Sequence, residues 1–224
     1  EDGTIGKAYG YQIGKKYLHH FYKGSLKEAR SDPELARYPS ANAVCLNDMG
    51  KVGIYMDQID AVLYDLRNNP ASRRILTNTF NFEDLHAMNL QPCAYSVTFN
   101  VSGDTLNVIL NQRSQDMLTA NNWNVVQYSV LAHMVAKATG LKVGELVHVI
   151  ADCHIYDRHI PMVLDMLEKD GYEAPTFEVD NSVTDFYRFT KDSFSVRDYR
   201  FHGVVVAVLF RLFPEFSGLV DAIL

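Results

Sequence analysis

The sequence is poor in cysteine: Cys45, Cys93 and Cys153 are the only three in 224 residues. That is too few for a disulfide framework, and it fits a reducing, cytoplasmic compartment. Lysine and arginine never gather into a block, and the net charge is −6. An extended nucleic-acid surface is therefore not expected, although one small phosphate pocket is compatible with the composition. The longest apolar run, Val204–Phe210, is stopped by Arg211 and is far too short to span a bilayer. Glu1-Asp2-Gly3 shows nothing of the charged-then-apolar order of a signal segment. The glycines of Gly3–Gly10 lack phosphate-loop spacing, so Gly3–Gln12 reads as a structured loop and not as a nucleotide cradle. What is present, 47% hydrophobic and 21% charged residues, is ordinary for a soluble globular chain with one large core or two small ones.

Two stretches concentrate chemistry. The first is Gln91-Pro92-Cys93-Ala94-Tyr95 with its answer, Asn111-Gln112-Arg113-Ser114-Gln115-Asp116. Tyr95–Val101 and Thr105–Gln112 alternate as strands, the second with Leu106, Val108 and Leu110 on one face, and Ser102-Gly103-Asp104 reads as the turn between them. A hairpin of that length brings Cys93 and Arg113 together. Cysteine reacts as the thiolate, and a nearby guanidinium lowers its pKa, so the pair is a candidate activated thiolate. A buried structural cysteine beside a surface arginine is the commoner arrangement for a cysteine taken alone. The second stretch is Asp152–His159. Cys153, His154 and His159 invite a metal reading, but their spacing is irregular and no second pair is in sight. Alternation instead places His154, Tyr156 and Arg158 on one face of an extended segment, as donors to a polar ligand.

The remaining elements follow from periodicity. Met56–Asn68 is an amphipathic helix stopped by Asn68-Asn69-Pro70. Arg73 and Arg74 come next, a solvated pair or a fork for an oxyanion. Ile75–Phe80 reads as a strand and Glu83–Met88 as a helical turn. Val125–Thr139 reads as a helix with Val126, Val130, Met134 and Ala138 as its apolar face and Gly140 as its stop. Leu146–Ile150 is a short strand, Pro161–Lys169 a helix and Pro175–Val179 a strand; Phe186–Phe189 and Phe194–Val196 are packing segments. His19-His20 are expected to face solvent, because adjacent side chains diverge on a helix or a strand. Residues 15–53, with a weakly helical Ser25–Arg37, read as an insertion or small subdomain.

Taken in order, several of these stretches form a set. They are Ala8-Tyr9-Gly10-Tyr11-Gln12, Pro70-Ala71-Ser72-Arg73-Arg74, Leu90-Gln91-Pro92-Cys93, Gln112-Arg113-Ser114-Gln115-Asp116, Asn124 and Asp152–His159. The set resembles the thymidylate synthase family over about residues 1–14 and 54–201. The resemblance implies an α/β (α+β) fold, a mixed sheet with packed helices, one catalytic domain over 1–224 and a homodimer joined sheet to sheet. It implies reductive methylation of dUMP to dTMP with 5,10-methylenetetrahydrofolate as co-substrate and no metal. Cys93 matches the nucleophile that adds to pyrimidine C6, a covalent route that splits one hard step into two. Arg113 matches a phosphate binder lying near the thiolate, and Tyr9 a residue that organises water around the base. Arg73 and Arg74 match a pair that reaches the partner subunit's phosphate. Gln112, Ser114, Asp116, Asn124, His154 and Tyr156 complete the dUMP set, with Asn124 at the uracil edge and His154 and Tyr156 at the ribose 3′-hydroxyl. Asp116, Leu90 and Trp123 match the folate side.

The chain also departs from the family pattern. Ala94 stands where many members have His, Ala151 replaces a Gly, and Thr119-Ala120-Asn121-Asn122-Trp123 replaces a Leu-Gly-X-Pro-Phe run. The tail 201–224 is unlike the family's short aliphatic ending, and family chains begin well before Glu1. From this the 224 residues alone are expected to bind dUMP weakly and to turn over poorly. The alternatives are a pyrimidine hydroxymethylase of the same superfamily, a non-catalytic nucleotide-binding dimer, and a Cys93–His154 hydrolase, for which no oxyanion-hole motif is evident. An Asp at position 124 would suit cytosine; Asn124 speaks for uracil.

Overall fold

The computed structural model describes residues 4–46 and 50–202. The apolar run Val204–Phe210 and Arg211 lie outside the described residues. Near the start, Gly10–Gly14 form a short helix, α1, where the glycine spacing predicts a loop. Tyr9 enters it at φ 37°.

Three strands follow: β1 (Tyr17–Tyr22), β2 (Asn42–Leu46) and β3 (Lys51–Met56), all antiparallel in the order β1-β3-β2. Helix α2 (Leu26–Arg30) lies between β1 and β2 and begins with a complete capping box from Ser25 and Glu28. Central β3 carries the fully buried Ile54 and Met56. These two, with Tyr38, Ala43 and Val52, belong to the same buried cluster as Phe99, Leu106 and Val135 from later in the chain.

His19 and His20 correct the expectation of divergent, solvent-facing rings. Both are half-buried, and their Nδ1 atoms lie 2.9 Å apart. The pairing of β1 with β3 slips between Leu18 and His20, and a bulge of this kind breaks the alternation that would send neighbours to opposite faces. His19 Nε2 meets Asp65 at 3.2 Å, and the His20 ring stacks on Tyr64.

Helix α3 (Gln58–Asn68) starts at an Asp57 cap and buries Ala61, Val62, Leu63 and Leu66. Four strands then make the second sheet, ordered β4-β5-β6-β7: β4 (Leu76–Asn78), β5 (Ala94–Ser102), β6 (Thr105–Asp116) and β7 (Lys142–His154). Gly103 and Asp104 close the β5–β6 hairpin, and Gly103 at φ 64° takes the left-handed conformation that such a tight turn needs. β7 runs parallel to β6 and is far longer than the apolar core Leu146–Ile150 that the sequence reading marks.

Helix α4 (Asn121–Thr139) makes the crossover from β6 to β7. It starts four residues before the expected Val125. Its inward face is Tyr128, Ala132, Val135, Ala136 and Ala138, while Val126 is 61% exposed. A strict four-residue series drifts around a helix of 3.6 residues per turn, so Val126, Val130, Met134 and Ala138 cannot all face one way. Small alanines and one tyrosine let the helix lie close on the sheet.

Helix α5 (Ile160–Leu167) and the ribbon β8 (Thr176–Val179) with β9 (Phe194–Arg197) complete the fold. Phe186 packs on the main core, and Tyr187 donates to the buried Asp60 at 2.7 Å. Among the described residues, nothing covers the sheet face turned away from α4. It follows the cross-strand row Leu76, Thr98, Ile109, Val147, of which Leu76 and Val147 are exposed.

Candidate active site

The hairpin ends meet as the alternation predicts. The Arg113 N–H donates to the Cys93 carbonyl at 2.9 Å. The Arg113 guanidinium donates to the carbonyls of Pro92 at 3.1 Å and Gln91 at 2.9 Å. It therefore braces the turn that carries Cys93, and its other N–H groups stay available on the surface. From the other side the Cys93 N–H donates to the Tyr9 hydroxyl at 2.9 Å. Burial, the largest influence, raises the Tyr9 phenol pKa, so the group is a neutral hydroxyl whose own proton is free to donate.

The parallel register of β6 and β7 brings the two chemical stretches side by side at the carboxyl ends of their strands. Ser114 pairs with Asp152, Gln115 with Cys153 and Asp116 with His154. Ligands of parallel sheets gather at such ends. The Asp116 carboxylate accepts from the Leu118 and Thr119 N–H groups and from the Thr119 hydroxyl. Burial pushes its pKa up, but these bonds outweigh burial and hold it below the usual aspartate value. Three of its roughly four acceptor positions are used, which leaves one for a ligand donor. The loop it organises delivers Trp123 and Asn124 on the first turn of α4.

Asn124 Oδ1 accepts from Gln112 Nε2 at 3.2 Å, and Gln112 Nε2 also donates to the Ser114 carbonyl at 2.9 Å and to Gln115 Oε1. At the end of β7, His154 and Tyr156 meet edge to face at 5.1 Å, and the Arg158 guanidinium lies 5.1 Å over the Tyr156 ring. These three side chains do cluster, although the extended run stops at Tyr156 and Arg158 sits in a 3-10 turn, Asp157–His159. Among the described residues no group of three His, Cys, Asp or Glu side chains is placed to hold a metal ion.

The structure thus joins Tyr9, Cys93 and Arg113; Gln112, Ser114 and Asn124; and His154 with Tyr156. It does not join Arg73 and Arg74 to them. Those two are exposed on the loop after α3 and, among the described residues, form no ion pair within the chain. Leu90 (54% exposed) and Trp123 (55%) present bare apolar surface. Two further histidines stand near the site: His159, which the sequence offers only as a metal ligand, and the half-buried His148, which the sequence reading does not single out. His159 is fully buried, accepts from Arg158 Nε at 3.2 Å and, among the described residues, has no partner for its Nδ1. His148 contacts Gln112, and its signal was one polar residue in an inward row between Leu146 and Ile150.

A model of the family described as thymidylate synthase matches residues 1–209. The chain is similar to thymidylate synthase from Bacillus subtilis subsp. natto, 40% identical over 203 residues that cover 91% of this chain and 61% of that protein. It is as similar to thymidylate synthase of Bacillus phage phi3T, with the same coverage, and is 39% identical to that of Bacillus atrophaeus, covering 75% of the latter. Among solved structures it is similar to thermostable thymidylate synthase A from Bacillus subtilis, with a TM-score of 0.73 and 37% identity over 92% of this chain and 63% of the other. The chain therefore spans 61% of the length of the first two relatives. By its motifs, its fold and these matches, the chain belongs to the thymidylate synthase family.

Proposed function

We propose that the protein carrying this chain methylates dUMP to dTMP, using 5,10-methylenetetrahydrofolate as co-substrate. The observation that supports this most is the brace around Cys93, with Tyr9 on its N–H and Arg113 on its carbonyl and on the two carbonyls before it. Such a brace holds a nucleophile without engaging its sulfur. The Cys93 thiolate bonds to pyrimidine C6, and the C5=C6 electron pair moves onto C5 and the C4 carbonyl. Arg113 and Ser114 take the phosphate, His154 and Tyr156 the sugar, and Asn124 the base edge. The one spare acceptor of Asp116 and the bare faces of Leu90 and Trp123 fit a flat, polar-edged folate ring, which supplies the one-carbon unit and the hydride.

The same reading makes the protein a homodimer. The uncovered row from Leu76 to Val147 supports pairing of this sheet with its twin, and the unpaired Arg73 and Arg74 suit a role in the partner's phosphate site. Residues 15–53 are read as part of one domain, because their buried side chains share the main core. The test is to supply dUMP or dCMP with methylenetetrahydrofolate and follow dihydrofolate formation. Dihydrofolate and dTMP in equal amounts from dUMP support the proposal; carbon transfer without dihydrofolate would replace it by hydroxymethylation.

A further inference from the structure

His148 lies on the inward face of β7, with Nε2 3.0 Å from Gln112 Oε1. The orientation of the Gln112 amide is not free. Its Nε2 donates to the Ser114 backbone carbonyl, a group that only accepts, so Oε1 must face His148. Oε1 only accepts as well, so the His148 ring carries its hydrogen on Nε2. Burial lowers the His148 pKa, and the neutral ring supplies that hydrogen without a charge. The same nitrogen reaches Gln115 Oε1 and, at 3.2 Å, Asn124 Oδ1, so its second hydrogen is shared between these two oxygens. The Asn124 oxygen is thereby engaged as an acceptor, and its amide N–H groups are the end left for a ligand.

We infer that His148 is a positioning residue for base choice. Its Nε2–H, together with the Ser114 carbonyl at the other end of the amide, fixes Gln112, and Gln112 in turn presents the Asn124 amide N–H groups to a pyrimidine that bears a carbonyl at C4 and not an amine. The inference rests on the proposal that Asn124 reads the base.

The test is calorimetric binding of dUMP and of dCMP to the protein and its variants, without folate, and the readout is the ratio of the two affinities. His148→Gln keeps an N–H donor near the Nε2 position and should keep the parent's ratio. His148→Glu offers only acceptors and so opposes Gln112 Oε1; the Gln112 NH2 is drawn away from Ser114 and Asn124, and the Asn124 oxygen is freed to face the ligand. The preference for dUMP should then fall roughly five- to hundred-fold, the effect of one mismatched buried polar group. Thermal melting shows whether the Glu variant folds; if it does not, His148→Ala is measured instead and should shift the ratio in the same direction. A residue with a merely structural role would weaken both nucleotides alike. A parent-like ratio in the folded Glu or Ala variant, while Asn124→Asp does shift it, overturns the relay alone. A ratio unmoved by Asn124→Asp too overturns the base-reading role of Asn124 and the relay with it.

Discussion

Cys93 is held through its backbone, by the Tyr9 hydroxyl on its N–H and the Arg113 N–H on its carbonyl, while the Arg113 guanidinium braces the two residues before it. Tyr9 has two duties there. Its oxygen accepts the Cys93 N–H, and its own proton remains to donate. Tyr9→Phe removes the acceptor and leaves a part-buried N–H unmatched. The expected cost is about 1–3 kcal/mol of folding stability, together with slower turnover at nearly unchanged dUMP affinity. Thermal melting and a comparison of kcat with KM check this. An unaltered kcat would remove Tyr9 from the reaction and leave it only the brace.

Asp60 carries an element-scale prediction. It is fully buried on α3, accepts the Ser40 N–H at 2.6 Å, and accepts the Tyr187 hydroxyl at 2.7 Å. It therefore ties three distant segments together. Asp60→Ala leaves both donors unmatched, at about 1–3 kcal/mol each, and should lower the melting temperature by several degrees in a chain of this length. A melting temperature equal to the parent's would mean that water satisfies those donors. At the same scale one sees what was readable in advance. Alternation in β5 and β6 places the hairpin, and with it the meeting of Cys93 and Arg113. The phase of α4 differs from the expected one, because its inward stripe is mostly Tyr128 and alanines, with Val135, while the strongly apolar Val126 is left outside. The length of β7 was hidden because its outer residues are themselves apolar, as Val147 and Val149 show, so no alternation marks it. The His19–His20 contact depends on a bulge, which no spacing announces. His148 and Gln112 make sense only once β6 and β7 are known to be parallel neighbours.

For the whole molecule, the uncovered sheet face and the unpaired Arg73 and Arg74 lead to one expectation, that two subunits share each phosphate site. An Arg73→Ala chain and a Cys93→Ser chain, each inactive or weak alone, should recover activity when mixed, because the heterodimer then holds one intact site. Subunit exchange is confirmed separately by mass. No recovery despite exchange would confine each site to its own subunit. The central claim is that Cys93 is the nucleophile of a dUMP-methylating enzyme. Its most direct measurement is dihydrofolate formation from dUMP and methylenetetrahydrofolate by the parent, by Cys93→Ser and by Cys153→Ser. In the full protein that carries this chain, the account predicts turnover in the parent and in Cys153→Ser, and none in Cys93→Ser, with dUMP still bound through Arg113, Ser114, Asn124, His154 and Tyr156. Turnover that survives in Cys93→Ser, or is lost only in Cys153→Ser, would contradict it.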